Sequence, residues 1–418
     1  MSKVLLVNFP FKATGIPTIM PIQLASLGSY LADHGHTIKA IDLNVRPEKD
    51  LFQTVGSEDF DAVGISYRNV LPLYWLERFR SLRRMILKLS NIGIKPLLGG
   101  TAFSLFYPKI FQWIPEVDLG VIGEGEYTIH RMAEKDDFED IPGLCFRTGA
   151  GLKVNDPPRF LEEEEIPSFR ELDGFDYADP SYLVGLQTYR GCNFSCAYCP
   201  VNRMGGKTTR LRRMASVKED LVFLKARGIE HIFIIDGVFN HPWDRSLQIL
   251  QLFRGLRYPR SWEGFLKPFP EVEEGHIREM AATGAVRFHV DVIAGTERLT
   301  SMVGHQVEIG HALRIAGLLR KEGIEGVFYF AYQLPGERLK DEIETLKTMG
   351  KIRRRGQKTF IYPFFPYPGT GFERYYGKIL DKGILWHILR LVKMVSRPSF
   401  FQFKKNLKSL TEMTGKKH

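Results

Sequence analysis

Short runs of aliphatic and β-branched residues alternate along this chain with segments whose apolar positions recur every three to four residues. Lys3–Asn8, Thr37–Leu43, Ala62–Ser66, Lys95–Leu98 and Leu119–Ile122 read as strands. Ile22–His34 has helical spacing and stops at Gly35, a good C-terminal cap; Leu73–Leu89 has it too, with arginines outward and Pro72 at its start. Another helix is expected after Gly123-Glu124-Gly125-Glu126. Strand–helix alternation with short connections predicts an α/β fold with a doubly wound, mainly parallel sheet over residues 1–150. Ligands of such sheets sit outside the carboxyl ends of the strands, here the loops Asn8–Gly15, Ser66–Val70, Gly99–Ser104 and Gly123–Glu126.

Residues 151–180 change character. Glu162–Glu165 is acidic and four prolines interrupt the segment, which reads as an extended linker. Alternation then resumes. Leu183–Thr188, His231–Asp236, Trp262–Pro268, Val286–Ala294, Gly326–Leu334 and Thr359–Phe365 are strands. Val217–Ala226, Arg245–Gly255, Glu274–Gly284, Ile309–Glu322 and Lys340–Gly350 are helices. About six βα units over 181–375 suffice for a partial barrel around a central cavity. A helical extension is expected over 376–418.

With 418 residues the chain is too long for one compact core. No apolar run approaches the roughly 20 residues that span a bilayer, and the first strand is too short for a signal peptide. Four cysteines fit no scattered disulfide scaffold, so the cytoplasm is the expected location. The net charge of +10 is concentrated: Tyr376–His418 holds ten Lys or Arg and two acids. That tail reads as solvated, or as contact with a membrane surface or an acidic partner. Ile384–Val395, apolar around most of its circumference, reads as a helix packed on the barrel or lying on a membrane. A nucleic-acid surface would interleave basic residues with exposed aromatics, so no nucleic-acid partner is expected.

Three of the four cysteines stand together as Cys192, Cys196 and Cys199. Thiolates are soft ligands that suit iron–sulfur clusters or zinc. Zinc would want a fourth ligand, and the loop has no histidine. Three thiolates on a cube of four irons leave one iron open to a small molecule. Cys145 lies in the apolar run Gly143–Phe146 and reads as a buried, inert thiol.

Arg190-Gly191-Cys192 through Cys196-Ala197-Tyr198-Cys199-Pro200 resembles the signature loop of the radical S-adenosylmethionine (SAM) family. Ile232–Phe239, Val292–Glu297, Gln333–Glu337 and Phe365–Thr370 resemble, in order, segments that follow later strands of that family's barrel. The resemblance implies a [4Fe-4S] cluster on Cys192, Cys196 and Cys199. SAM would be chelated at the open iron and cleaved to a 5′-deoxyadenosyl radical with an electron from an external, flavodoxin- or ferredoxin-like donor. It assigns Tyr198, Asp236, Glu297, Leu334 and Gly336 to the SAM site. The chain reads Gly-Thr-Glu-Arg where the family has Gly-x-Glu-Ser, which bears on Glu297. Arg203, Lys207, Arg210, Arg212 and Arg213 could hold an anionic group, or form a plain basic loop.

The N-terminal loops resemble those of the Rossmann-like cobalamin-binding domain found ahead of the barrel in one subgroup. The resemblance assigns Ser66, Tyr67, Arg68, Asn69, Gly99, Gly100, Thr101, Glu124, Gly125 and Glu126 to cobalamin. A flavodoxin-like sheet with ordinary turns is the plain alternative. Asn8–Gly15 lacks the histidine many such domains give to cobalt, so no protein imidazole is expected there, and Arg68, always protonated, cannot be a ligand. The expected activity is C-methylation of a small molecule, from SAM by way of cobalamin. The alternatives are oxidative cyclisation or rearrangement with the same cofactors, and a non-catalytic carrier. No catalytic proton-transfer residue is assigned, although Tyr332, Gln333, Tyr362 and Tyr367 are placed at the cavity.

Overall fold

A computed structural model describes residues 1–10, 18–68, 75–134 and 137–373, with backbone alone at 75–77. Asn69, Pro72 and the expected helical, basic 376–418 segment lie outside the described residues.

The strands are β1 (Lys3–Asn8), β2 (Thr18–Ile19), β3 (Thr37–Asp42), β4 (Ala62–Ser66), β5 (Leu97–Gly99), β6 (Leu119–Val121), β7 (Leu144–Thr148) and β8 (Gly151–Val154), then β9 (Tyr182–Leu186), β10 (Tyr189–Arg190), β11 (Arg210–Leu211), β12 (His231–Ile234), β13 (Ser261–Leu266), β14 (Ala285–Ile293), β15 (Glu325–Tyr332) and β16 (Lys358–Pro363). The helices are α1 (Ile22–Asp33), α2 (Glu48–Ser57), α3 (Trp75–Asn91), α4 (Thr101–Trp113), α5 (Glu126–Ala133) and α6 (Val201–Gly205), then α7 (Met214–Ala226), α8 (Trp243–Leu256), α9 (Glu274–Ala282), α10 (Glu297–Met302), α11 (Ile309–Lys321) and α12 (Leu339–Arg354).

The first sheet has the order β3-β1-β4-β5-β6-β7-β8. Its first five strands are parallel, and β7 and β8 add an antiparallel hairpin at the edge. The order reverses between β3 and β4, on either side of β1, which opens a crevice at the carboxyl ends. The second sheet runs β16-β15-β14-β13-β12-β9-β2. Its six long strands are parallel and form the expected partial barrel.

Three features carried no readable sequence pattern. β2 pairs Thr18 with Tyr182 and Ile19 with Leu183, so an N-terminal segment completes the edge of the second sheet. Two residues are too few to show a period. Helices α2 and α4 were also not expected. In α4, Ala102, Phe103, Ser104, Leu105 and Phe106 are buried in succession and Pro108 falls inside the helix, so its first turns show no amphipathic period and its middle carries a helix breaker. The segment from 155 to 181 is irregular apart from a 3-10 turn at Glu163–Glu165, but tightly packed: Ile166, Phe169, Leu172, Phe175 and Tyr177 are buried. Asp220 accepts from the Phe169 amide at 2.7 Å, and Ser29 from the Arg170 amide at 3.0 Å. One apolar core thus runs from Val4 and Leu6 through α1 and this segment to Val184 and Ile232 in the barrel.

Candidate functional site

The two sheets meet with their carboxyl ends facing one cavity of about 340 Å³. Ser66, Gly99, Gly100, Thr101, Glu124, Gly125 and Glu126 line it from the first sheet, and Tyr189, Arg190, Gly191 and Asp236 from the barrel. Gly100 has φ +93°, and a β-carbon there would come within 2.8 Å of the Tyr67 carbonyl oxygen, so backbone approaches backbone at this turn. Gly191 (φ +75°) is tighter still, because a β-carbon would lie 2.1 Å from the Thr208 carbonyl oxygen. The residue that opens the cysteine loop must therefore be glycine.

Strand parity separates two of the expected cobalamin residues. Ser66 faces the cavity, whereas Tyr67 turns into the core with 1% exposure, its ring 5.6 Å from Phe9 and 6.1 Å from Phe79. Arg68 reaches across to Gln23 at 3.4 Å and does not line the cavity.

Glu124 and Glu126 line the cavity, but their carboxylates are committed to arginines. Arg190 Nη2 lies 2.8 Å from Glu126 and Arg190 Nη1 3.3 Å from Glu124, while Arg210 Nη2 lies 2.5 Å from Glu124. These side chains keep 6–13% exposure. Acids from the first sheet thus clamp the strand that leads into the cysteines. Two of the five basic residues after the cysteines are structural as well: Arg210 here, and Arg212, which pairs with Asp220 at 2.6 Å in full burial. Arg203, Lys207 and Arg213 are exposed.

Asp236 is 2% exposed and is occupied. It accepts from the Thr188 amide at 2.7 Å and the Thr188 hydroxyl at 2.5 Å, tying the end of β12 to the end of β9. Burial pushes its pKa up to about 6, against the hydrogen bonds and Arg245, which lower it. Folded Asp236 therefore holds a proton where the unfolded chain, near 3.9, has released it. Its stabilisation is full below about pH 4 and is lost as pH rises through about 6. Asp236→Asn is expected to flatten that part of the pH dependence of the urea midpoint between about pH 4 and 7, since an amide can still meet Thr188.

The cysteine loop crosses the carboxyl end of the barrel. Tyr198 packs with Leu334, Met302 and Tyr362. A β-carbon on Gly336 would sit 3.6 Å from Met302 Sδ, so this turn borders the same cluster. Glu297 is exposed at the start of α10 and does not line the cavity. Sequence reading missed two residues. The Tyr198 hydroxyl lies 2.8 Å from Asp291 Oδ2 and 2.9 Å from His305 Nδ1, and Cys196 Sγ is 3.8 Å from the same nitrogen. His305 Nε2 donates to the Asp291 carbonyl at 2.8 Å. A signal for Asp291 did exist: Arg287, His289 and Asp291 alternate with Phe288, Val290 and Val292, so one face of β14 is polar.

That face looks into the barrel. At its amino end, Glu263 accepts from Arg287 at 3.2 Å and stands 3.2 Å from His231 and 3.3 Å from His289, while Arg287 also pairs with Glu325 at 2.6 Å. The carboxyl of Glu263 is held far below the usual range: these partners outweigh the burial that raises it. The ionic plug closes the amino end. Above it Phe233, Phe265, His289, Tyr329 and Phe360 form a ring-lined layer with centroids 5.3–5.9 Å apart. At the carboxyl end of the same face stands Asp291, bonded to Tyr198 of the cysteine loop.

The chemistry of the donors fits the expected groups. Three thiols share one loop within electrostatic reach of each other. Among the described residues, no three His, Cys, Asp or Glu side chains are gathered tightly enough for a single ion; a cube that puts an iron corner at each thiolate needs them further apart. The glycine-lined cavity is smaller than a whole corrinoid and suits its nucleotide arm, which backbone glycines can approach closely. Cys145, with no exposure and its thiol donating to the Gly120 carbonyl at 3.4 Å, is pushed up to about 12 by burial, an inert thiol as expected. No helix among the described residues is long and apolar enough to cross a membrane.

Comparisons with known proteins agree. The uncharacterized methyltransferase PH0819 of Pyrococcus horikoshii is 24% identical over 369 residues, 85% of this chain and 78% of that protein. The methyltransferase TsrM of Kitasatospora setae, solved with cobalamin and a [4Fe-4S] cluster, superimposes with a TM-score of 0.76 at 21% identity, covering 88% of this chain and 73% of TsrM. The cobalamin-dependent radical SAM enzyme OxsB gives 0.68 at 19% identity, covering 84% of this chain and 52% of OxsB. Residues 16–133 match the B12 binding domain and residues 186–349 the Radical SAM superfamily. With the first module building one wall of the cavity and the second the other, the chain belongs to the cobalamin-dependent radical SAM enzymes.

Proposed function

We propose that this enzyme moves a methyl group from SAM, by way of cobalamin, to a carbon of a small-molecule substrate held in the barrel. The observation that carries the reading is the shared cavity: loops of the B12 module and the start of the cysteine loop line the same space. Cys192, Cys196 and Cys199 would hold the cluster. The Gly99-Gly100-Thr101 turn and Gly125 would hold the cobalamin arm. Tyr198, Leu334 and Gly336 would border SAM. When bound, these groups supply one-electron cleavage of SAM and a transferable methyl. The chain's own part is orientation and exclusion of water. The ionic plug seals one end of the barrel, the aromatic layer gives the substrate an apolar floor, and the Arg190–Glu126 clamp keeps both modules in register. A flavodoxin- or ferredoxin-like donor would supply electrons.

The test needs no known substrate. Anaerobic protein is given cobalamin, a reductant and SAM labelled as CD₃. Recovery of CD₃-labelled cobalamin by mass spectrometry is the expected result. Cleavage of SAM to 5′-deoxyadenosine with unlabelled cobalamin would reject methyl transfer.

A further inference from the structure

Lys267 is a buried cation that joins no ion pair among the described residues. It follows β13 directly and is 4% exposed. Asn240 fixes its backbone, accepting from the Lys267 amide at 2.9 Å and donating to its carbonyl at 2.8 Å. The ammonium lies 4.0 Å from the ring centroid of Phe194 and 5.3 Å from that of Phe269. Phe194 stands between Cys192 and Cys196, and its own carbonyl is pinned by Asn202 at 2.6 Å. Among the described residues, none of the ion pairs includes Lys267, and Asp291 is the only carboxylate among its main electrostatic neighbours, which otherwise are the three loop cysteines. Ring faces attract an ammonium but do not replace a counter-ion, and an unpaired buried charge is costly. For Lys267 the fold accepts that cost against the cysteine loop.

We infer that Lys267 is the resident counter-ion of the cluster held by Cys192, Cys196 and Cys199, set there to favour its reduced state. The inference rests on the reading that these cysteines hold the cluster. Three thiolates on a [4Fe-4S]²⁺ core carry a net charge of −1. One electron from an external reductant makes it −2, and a fixed cation in a dry setting stabilises the second state more than the first. The cost of burying the ammonium in the empty protein is returned when the cluster is present. SAM's carboxylate is the other anion that could meet this ammonium, and the two sources give different results.

The experiment compares wild type, Lys267→Met and Lys267→Arg. The reconstituted proteins are titrated with dithionite, without SAM, and the reduced cluster is followed by electron paramagnetic resonance. The equilibrium constant for reduction is expected to fall at least about tenfold in Lys267→Met, a shift of about 59 mV for one electron, and to stay within about threefold of wild type in Lys267→Arg. Cluster-free Lys267→Met should melt at the same temperature as the cluster-free wild type or higher, because an uncompensated charge has been removed. That melt also shows that the variant folds. An unchanged potential in SAM-free Lys267→Met would overturn the inference, and if SAM affinity alone fell the ammonium would belong to SAM. Wild type that binds no iron and sulfide would fail on the cysteine reading itself, before any variant is made.

Discussion

Cys199→Ala, reconstituted with iron and sulfide under anaerobic conditions, is expected to lose the cluster's visible absorption, and SAM cleavage should fall to background. Burial pushes the Cys199 thiol up to about 12, so this position favours a neutral thiol unless a metal takes the proton's place. Two thiols cannot keep a cube with one open corner, and the imidazole beside them, His305 at 3.8 Å from Cys196 Sγ, is already bonded to the Tyr198 hydroxyl and the Asp291 carbonyl. Cys145→Ala is the control. Its thiol is in the core of the first sheet, hydrogen-bonded to Gly120, so the variant should lose about 1 kcal/mol of stability and no activity. Iron and sulfide content, measured beside 5′-deoxyadenosine, separates the two outcomes. If Cys199→Ala kept its iron and its turnover, the cluster assignment would fall.

What could be read from the amino-acid order was whatever is contiguous. The cysteine loop is eight residues, with Gly191 before it and Pro200 after it, and needs no tertiary information. The glycine turns at 99–100 and 123–125 were legible for the same reason: each ends a strand, and each indeed lines the cavity. Side-chain direction was less accessible. Ser66 and Tyr67 are neighbours, yet one faces the cavity and the other the core, because successive residues of an extended chain point to opposite sides. Long-range pairing was not accessible at all. Glu126 meets Arg190 across 64 positions and His305 meets Tyr198 across 107, and no local pattern connects such residues. Glu124 and Glu126 looked like cofactor contacts since they sit at a strand end beside glycines. Their carboxylates are held by buried Arg190 and Arg210, partners that no local pattern announces.

That docking sets the second large effect. Arg190→Met should destabilise the protein by about 3–5 kcal/mol, because Glu126 would remain buried at the interface with, among the described residues, the Ser26 hydroxyl, 3.3 Å away, to meet its charge. Urea unfolding would show it as an early loss of contact between the modules. The double variant Arg190→Met/Glu126→Leu removes both charges, and Glu124 keeps Arg210, so most of the lost stability should return. Activity should not follow stability. The clamp sits two residues before Cys192, and it joins the loop that would carry the cluster to the wall that would carry cobalamin. In the double variant the barrel is intact, so SAM cleavage should persist at near the wild-type rate per cluster. Transfer of the CD₃ label to cobalamin should drop by about tenfold or more, since a displacement of about 1 Å between reacting groups is enough for a large loss of rate. Equal losses in both steps would mean that the ion pairs hold the fold together and have no part in setting the distance between the two cofactors.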